Sequence, residues 1–140
     1  YTNRVLNLHL GLSQYHRGAS CNFWPVHEGR PGLLGATIHK VTSGIDTGEI
    51  IRQETIQLDE NDDEQTLAGK TLILGTRLVI ETLNNPTVRK IVGNRSKANG
   101  KLYQMKDFTP RATLEVRKLI GRGILKQQIA TENQTRKTDS

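Results

Sequence analysis

Hydrophobic and polar positions alternate with a period of two in three short segments of the first half of the chain. Residues 4–10, 33–41 and 49–58 are predicted strands, because this alternation puts every second side chain on the same face of a sheet. The glycine-containing segment 11–18 and the segment 42–48, rich in Gly, Ser, Thr and Asp, are predicted loops. The pattern therefore predicts a β-sheet built from the first half of the chain.

An apolar pattern with helical spacing follows the third strand. An acidic turn opens it, and carboxylates are favoured at the positive end of a helix. The helix is predicted from about Asp63 to Asn84, where an Asn-Asn-Pro sequence ends it. Its apolar stripe consists of Leu67, Leu74 and Leu78, with Thr71 between them, and Leu83 extends the apolar surface.

The remaining predicted elements are shorter. Residues 19–28 and 110–120 are predicted to form helices, the second of which 124–129 extends after Gly121 and Gly123. A helical turn is expected at 88–92. The polar tail from Thr131 is expected to be disordered. Strands in the first half and helices in the second half together predict an α/β fold.

The composition limits which partners and which compartment the sequence is compatible with. The 140 residues suffice for one domain with a core, and the net charge is +6 with a sequence pI of about 9.7. The late basic residues are interspersed with apolar ones, which is typical of a solvated helix face, so a nucleic-acid partner is not expected. The single cysteine, Cys21, fits a reducing, cytoplasmic compartment, and the absence of a long apolar run predicts no membrane partner.

Candidate chemistry lies at three places along the chain. Asn7 and His9 share one face at the end of the first predicted strand, His39 lies in the second, and Asp46 lies in the loop that follows. Each residue alone has a structural interpretation, such as a turn aspartate or a capped histidine. An amide donor, an imidazole and a carboxylate that converge would form a plausible set for proton transfer and oxyanion stabilisation.

The segments "LNLH", "RG" and "GATIHKVTSGIDTGEII" resemble the folate-dependent formyltransferase family over about residues 4–85. That family has an Asn-x-His motif, followed some three dozen residues later by the Asp of an Asp-x-Gly turn; here the spacing is 46 − 9 = 37. The resemblance implies that Asn7, His9 and Asp46 are catalytic and that His39 supports them. No metal is expected, because the histidines and the cysteine lack compact ligand spacing.

The resemblance also implies a fold, a cofactor and a reaction. The fold would be the C-terminal part of a Rossmann-like domain, a mixed sheet with flanking helices. The co-substrate would be 10-formyltetrahydrofolate, and the acceptor a small-molecule amine such as an amino sugar or small metabolite. Two alternatives stay open: a hydrolase of formyltetrahydrofolate and a non-catalytic folate-binding module. The folate would be bound by the loop residues Val41, Thr42, Ser43, Gly44 and Ile45.

Two departures from the family pattern qualify these expectations. The family's Pro-Ser and Leu-Pro pairs after the histidine are Leu10-Gly11 and Ser13-Gln14 here, which favours a divergent branch. The family's first half of the domain, which carries much of the acceptor pocket, has no counterpart in this sequence, so the 140-residue chain alone is expected to be nearly inactive. The expected division is a catalytic part (1–92), a helical extension (93–130) and a disordered tail (131–140).

Overall fold

The computed structural model describes residues 5–85 and 100–138, where two small sheets lie against four α-helices. The strands are β1 (Leu6–His9), β2 (His16–Gly18), β3 (Gly35–Lys40), β4 (Ile50–Thr55) and β5 (Lys101–Tyr103). The α-helices are α1 (Trp24–His27), α2 (Glu64–Leu83), α3 (Pro110–Gly121) and α4 (Ile124–Thr138), with single 3₁₀ turns at Pro31–Leu33 and Met105–Asp107. The turn predicted at 88–92 lies outside the described residues.

The main sheet has the order β1-β3-β4, and both of its pairs are antiparallel. Leu6, Leu8 and Leu10 pack with Ile38 of β3 against α2, whereas Asn7 and His9 of β1 alternate with these leucines. The predicted division of β1 into an apolar face and a polar face is confirmed, because the core contacts only one side of the strand. The second sheet is the parallel pair β2-β5, so the whole is the mixed α/β arrangement expected from the sequence.

Helix α2 begins at a capping box. Leu74 and Leu78 of its predicted stripe pack on β3, whereas Leu67 packs in the core shared with α3 and α4. The Asp63 side chain accepts from the Thr66 backbone N–H at 2.8 Å, and the Asp63 N–H donates to the Thr66 hydroxyl at 2.7 Å. The stripe is buried, and its members are Leu67, Thr71, Leu74 and Leu78. Leu83 does not extend this buried surface; it is 70 % exposed at the last turn of the helix.

Two predictions for the segment after β1 are wrong in part. Residues 11–18 were expected to form a loop throughout, but β2 lies within them and pairs with β5, which is 85 residues away along the chain (101 − 16 = 85). The helix expected over 19–28 is reduced to α1, with Pro25 in its first turn. Proline lacks an N–H and is accommodated only in the first turn of a helix, so the helix cannot begin earlier.

The C-terminal helices share one core with the first half of the chain. Val116 of α3 and Leu125 of α4 are buried against Val26, Leu34 and Leu67. The predicted helical segments 110–120 and 124–129 are confirmed, but they form two separate helices because Gly123 has a φ of +83°.

The expectation of a disordered tail from Thr131 is wrong for the described part, since α4 continues to Thr138. Gln128 of this helix donates to Glu132 at 2.9 Å, and hydroxyls of the helix bond back to carbonyls one turn earlier, as Thr131 does to Gln127 at 3.0 Å. Polar composition alone therefore does not predict disorder here, because the segment continues a helix whose first turn is anchored in the core by Leu125. The division of the chain near residue 92 stays a prediction.

Candidate active site

The antiparallel pairing of β1 and β3 brings two of the candidate residues opposite each other. Asn7 pairs with His39, and directly opposed residues project on the same face of a sheet. The Asn7 Nδ2 lies 3.2 Å from His39 Nε2. A β-bulge lies between Ile38 and His39 in the pairing with β4, and bulges commonly re-aim side chains beside functional sites.

Asp46 lies at the centre of the cluster and contacts all three other candidates. Its carboxylate is 3.3 Å from His9 Nδ1, 3.3 Å from His39 Nε2 and 3.4 Å from Asn7 Nδ2. The shortest bond to it comes from the backbone N–H of Gly18, at 2.8 Å. The structure therefore brings together Asn7, His9, His39 and Asp46, as the sequence predicted.

The backbone of Asp46 adopts the left-handed conformation, with a φ of +52°. Asn and Asp tolerate this region better than other non-glycine residues, although it remains uncommon for them. Two glycines of the same loop lie close to neighbouring groups. A Cβ at Gly48 would overlap the Lys40 carbonyl oxygen, and one at Gly44 would overlap the Thr47 hydroxyl.

The His9 ring is buried and faces a hydrogen-bond acceptor at each nitrogen. Its Nε2 lies 2.9 Å from the carbonyl oxygen of His16, and its Nδ1 faces Asp46. A carbonyl can only accept, so Nε2 carries a hydrogen and donates it there. The contacts of His9 and His39 with Asp46, both at 3.3 Å, are longer than ordinary charge-assisted hydrogen bonds.

Burial and charge act in opposite directions on the two histidines. Burial lowers the pKa of His9, and this outweighs Asp46 and the His16 carbonyl, which raise it. Burial also lowers the pKa of His39, but the hydrogen bonds that the ring donates to Asp46 and to the Lys40 carbonyl raise it above its usual value. Asp46 raises the pKa of both histidines, but burial outweighs this at His9 and does not at His39.

Asp46 itself is held in its ionised form. Burial raises its pKa, but bonds from His39 and the Gly18 N–H, together with the charges of the two histidines, lower the pKa below its usual value. The site therefore combines an ionised carboxylate, two imidazoles with opposite pKa shifts and an amide donor. This combination can stabilise a developing oxyanion and move a proton near neutral pH.

The residues predicted to bind folate form the loop between β3 and β4, beside Asp46. Residues 42–45 are exposed, and Val41 is half-buried, with its N–H donating to the Val5 carbonyl at 2.9 Å. The hydroxyls of Thr42 and Thr47 lie 2.7 Å apart across the loop. A ligand could reach this loop and the Asp46 carboxylate together, and folate binding there stays a prediction.

Comparison with known proteins identifies the family. The family model described as "Formyl transferase" matches residues 1–83, which is more than half of the 140 residues. The chain belongs to the formyl transferase family. A methionyl-tRNA formyltransferase of Caldicellulosiruptor saccharolyticus is 41% identical over 80 residues, which are 57% of this chain and 25% of that protein. The chain thus spans about a quarter of the length of the curated relatives it matches.

Solved formyltransferases share the fold over a larger part of the chain. The formyltransferase PseJ from Anoxybacillus kamchatkensis, solved with UDP-4,6-dideoxy-4-formamido-L-AltNAc and tetrahydrofolate, is 32% identical. Its match has a TM-score of 0.70 and covers 86% of this chain and 67% of PseJ. A 4-N formyltransferase from Francisella tularensis has a TM-score of 0.63 at 23% identity, covering 81% of this chain and 51% of that one, which shows the fold alone.

The side-chain pattern does not predict the backbone groups that contact this cluster. The Gly18 N–H on Asp46 and the His16 carbonyl on His9 belong to β2, which was expected to be part of a loop. Arg17, between them, donates to the Gly100 carbonyl at 2.7 Å and ties β2 to the start of β5. Backbone groups leave no trace in a side-chain pattern, and only the Arg-Gly pair could have drawn attention to this segment.

Two further observations concern metals and membranes. Among residues 5–85 and 100–138, no group of three or more His, Cys, Asp or Glu side chains could hold a metal ion. No helix in the same part of the chain is long and apolar enough to cross a membrane.

Proposed function

We propose that this formyltransferase-family protein transfers a formyl group from 10-formyltetrahydrofolate to a substrate amine. The observation that carries the proposal is the contact of one ionised carboxylate, Asp46, with His9, His39 and Asn7 at 3.3–3.4 Å. The family match and the tetrahydrofolate bound by PseJ support the choice of donor. The proposed chemistry needs no group beyond these side chains and the two substrates.

The first step forms a tetrahedral intermediate. The amine lone pair attacks the formyl carbon, and the carbonyl π electrons move to the oxygen. The Asn7 amide donates to that oxygen, and so does His9 Nδ1–H when the ring is protonated, because the Nε2–H is already bound by the His16 carbonyl. Each such donor stabilises the charge by about 3 kcal/mol. The attacking nitrogen becomes positively charged at this point, so a base must remove a proton from it.

The second step transfers that proton and breaks the bond to the folate. Asp46 accepts the proton, directly or through a water, and His39 beside it balances the carboxylate charge. The intermediate then collapses, the bond from the formyl carbon to N10 breaks, and N10 takes up the proton that Asp46 had accepted, directly or through a water, which returns Asp46 to its ionised form. The products are a formamide and tetrahydrofolate, so atoms and charge balance without an oxidant or a reductant.

We propose an amino sugar carried on a nucleotide as the acceptor class. PseJ, which is 32% identical over most of this chain, was solved with a nucleotide-linked formamido sugar. The alternative is an aminoacyl-tRNA, which the names of the curated relatives favour. Their matches cover 56–70% of this chain, whereas the PseJ match covers 86%.

The test uses the full-length protein with 10-formyltetrahydrofolate and three acceptors: nucleotide-linked amino sugars, methionyl-tRNA and water alone. Release of tetrahydrofolate with an amino sugar supports the proposal. Formate released without any amine would indicate the hydrolase, and formylation of methionyl-tRNA alone would indicate the tRNA-directed enzyme. Folate binding without turnover would indicate the binding module.

His9→Ala tests the site itself. We expect the rate of transfer to fall by about a hundredfold or more, because one oxyanion donor is lost. His27→Ala is the matched control: His27 also bonds to a carboxylate, Glu115, at 3.0 Å, but it ties α1 to α3. Turnover unchanged in His9→Ala would contradict the catalytic assignment.

A further inference from the structure

A second cluster of titratable side chains lies directly behind the catalytic histidine. His16 of β2 is 1% exposed, and its Nε2 lies 2.9 Å from Glu28 Oε2. The other oxygen of Glu28 accepts a hydrogen bond from the Tyr103 hydroxyl of β5. None of these three side chains takes part in the chemistry proposed above, yet the backbone carbonyl of His16 is the acceptor for His9 Nε2–H.

The cluster is built from elements that are far apart in the sequence. Glu28 follows α1, and Tyr103 stacks on Trp24 of that helix, with ring centroids 4.1 Å apart and planes within 6°. His16 in turn stacks on Tyr103, with ring centroids 6.1 Å apart. These contacts connect β5, α1 and β2, and they end at the His9 ring of β1.

The strand that carries the His16 carbonyl is weakly held by its own backbone. β2 has three residues and, within the described part of the chain, pairs with the three-residue β5 alone; isolated two-stranded sheets are marginal in water. The His16 N–H donates to the Leu12 carbonyl at 2.9 Å. The bond to Glu28 therefore adds an anchor at the residue whose carbonyl meets His9.

The His16 side chain is a poor choice for packing alone. Its Nδ1 is buried and has no hydrogen-bond partner in the described part of the chain, and an unpaired buried nitrogen is unfavourable. An apolar side chain of similar size would avoid this cost and fill the same space. What the apolar side chain could not supply is the bond from Nε2 to Glu28.

We propose that His16 is a positioning residue: anchored by Glu28, it holds the carbonyl that keeps the hydrogen on His9 Nε2, so that His9 Nδ1 is the nitrogen that takes up a proton and donates to the oxyanion during formyl transfer. This inference rests on the proposed function for its kinetic consequence, but the tautomer of His9 can be observed without turnover. It also explains the direction of the His9 ring, since Nδ1 is the nitrogen that faces Asp46.

The test compares three variants of the full-length protein. His16→Leu removes the bond to Glu28, His16→Gln retains an N–H that can reach Glu28, and His27→Leu removes the corresponding bond of the His27–Glu115 pair, which lies on α1 and α3. Histidine side-chain ¹⁵N spectra report which ring nitrogen of His9 carries hydrogen. Steady-state kinetics separate kcat from KM for 10-formyltetrahydrofolate.

We expect the wild-type His9 to show hydrogen on Nε2, and His16→Leu to shift the His9 signals toward a mixture of tautomers. In the same variant kcat should fall about tenfold to a hundredfold, with KM changed less than about threefold, because positioning and not binding is lost. His16→Gln should restore most of both readouts, and His27→Leu should alter neither.

Two results would overturn the positioning role. Unchanged His9 signals in a folded His16→Leu protein would contradict it, and so would a loss of kcat no larger than that of His27→Leu. If His16→Leu does not fold, Glu28→Gln weakens the same anchor and is judged by the same two readouts. Wild-type protein that formylates no amine would refute the proposed function instead, while the ¹⁵N spectra would still decide the role of His16.

Discussion

Replacing Asp46 by Asn tests the centre of the proposed mechanism with a nearly isosteric change. The carboxylate contacts His9, His39 and Asn7, and it accepts from the Gly18 N–H at 2.8 Å. An asparagine oxygen can still accept from Gly18. Its amide nitrogen, however, would face the Asn7 amide and the His39 ring. The asparagine side chain can neither take up the substrate proton nor balance the charge of a protonated histidine.

The expected magnitude follows from the roles that this substitution removes. Loss of a positioned proton acceptor lowers rates by about a hundredfold to ten-thousandfold, which is about 3–5.5 kcal/mol in activation free energy. Stability should change much less. Replacing the charged acceptor of the Gly18 N–H by a neutral one lowers the free energy of unfolding by about 1 kcal/mol. Part of this loss is offset because an amide is less unfavourable to bury than a carboxylate. The loss of rate would therefore not be a consequence of unfolding.

The assay follows release of tetrahydrofolate by the full-length protein at saturating acceptor. We expect kcat to fall by the stated factor in Asp46→Asn while KM for the donor changes less than about threefold. The pKa of His39 should also fall, because the bond to Asp46 raises it in the wild type, and NMR titration measures this. The control is Asp59→Asn, the same change at an exposed turn before α2. A kcat within about threefold of wild type would refute the reasoning.

Three further predictions concern the fold around the site. Leu78→Ala should lower the free energy of unfolding, measured in urea, by about 2–5 kcal/mol, because Leu78 is fully buried against the sheet. Ile73→Ala, at a position 72% exposed on the same helix, should lower it by less than about 1 kcal/mol. Gly48→Ala should weaken folate binding measured by calorimetry, since its Cβ would overlap the Lys40 carbonyl and displace the loop; unchanged affinity would argue against that loop as the folate site. The stability difference between wild type and Asp46→Asn should narrow as pH falls below about 4, because a carboxylate with a lowered pKa stabilises the fold only while ionised.

The sequence by itself determined the local elements that carry the site. Alternation along β1 separated Leu6 and Leu8 from Asn7 and His9, and this division holds because a strand has a strict period of two. The stripe of α2 was equally visible, since one face of a long helix must be apolar to pack on a sheet. The motif spacing from His9 to Asp46 pointed to the family, which the match over residues 1–83 confirms.

Tertiary structure decided what surrounds those side chains. The antiparallel register set Asn7 against His39, and a strand carries no local record of its register with a partner 32 residues away. The pairing of β2 with β5 places the Gly18 N–H against Asp46 and the His16 carbonyl against His9. The two strands are far apart in sequence, so no local pattern predicts their pairing. The pKa values of His9 and His39 shift in opposite directions because burial and the distribution of Asp46's contacts are properties of the folded site and not of residue type.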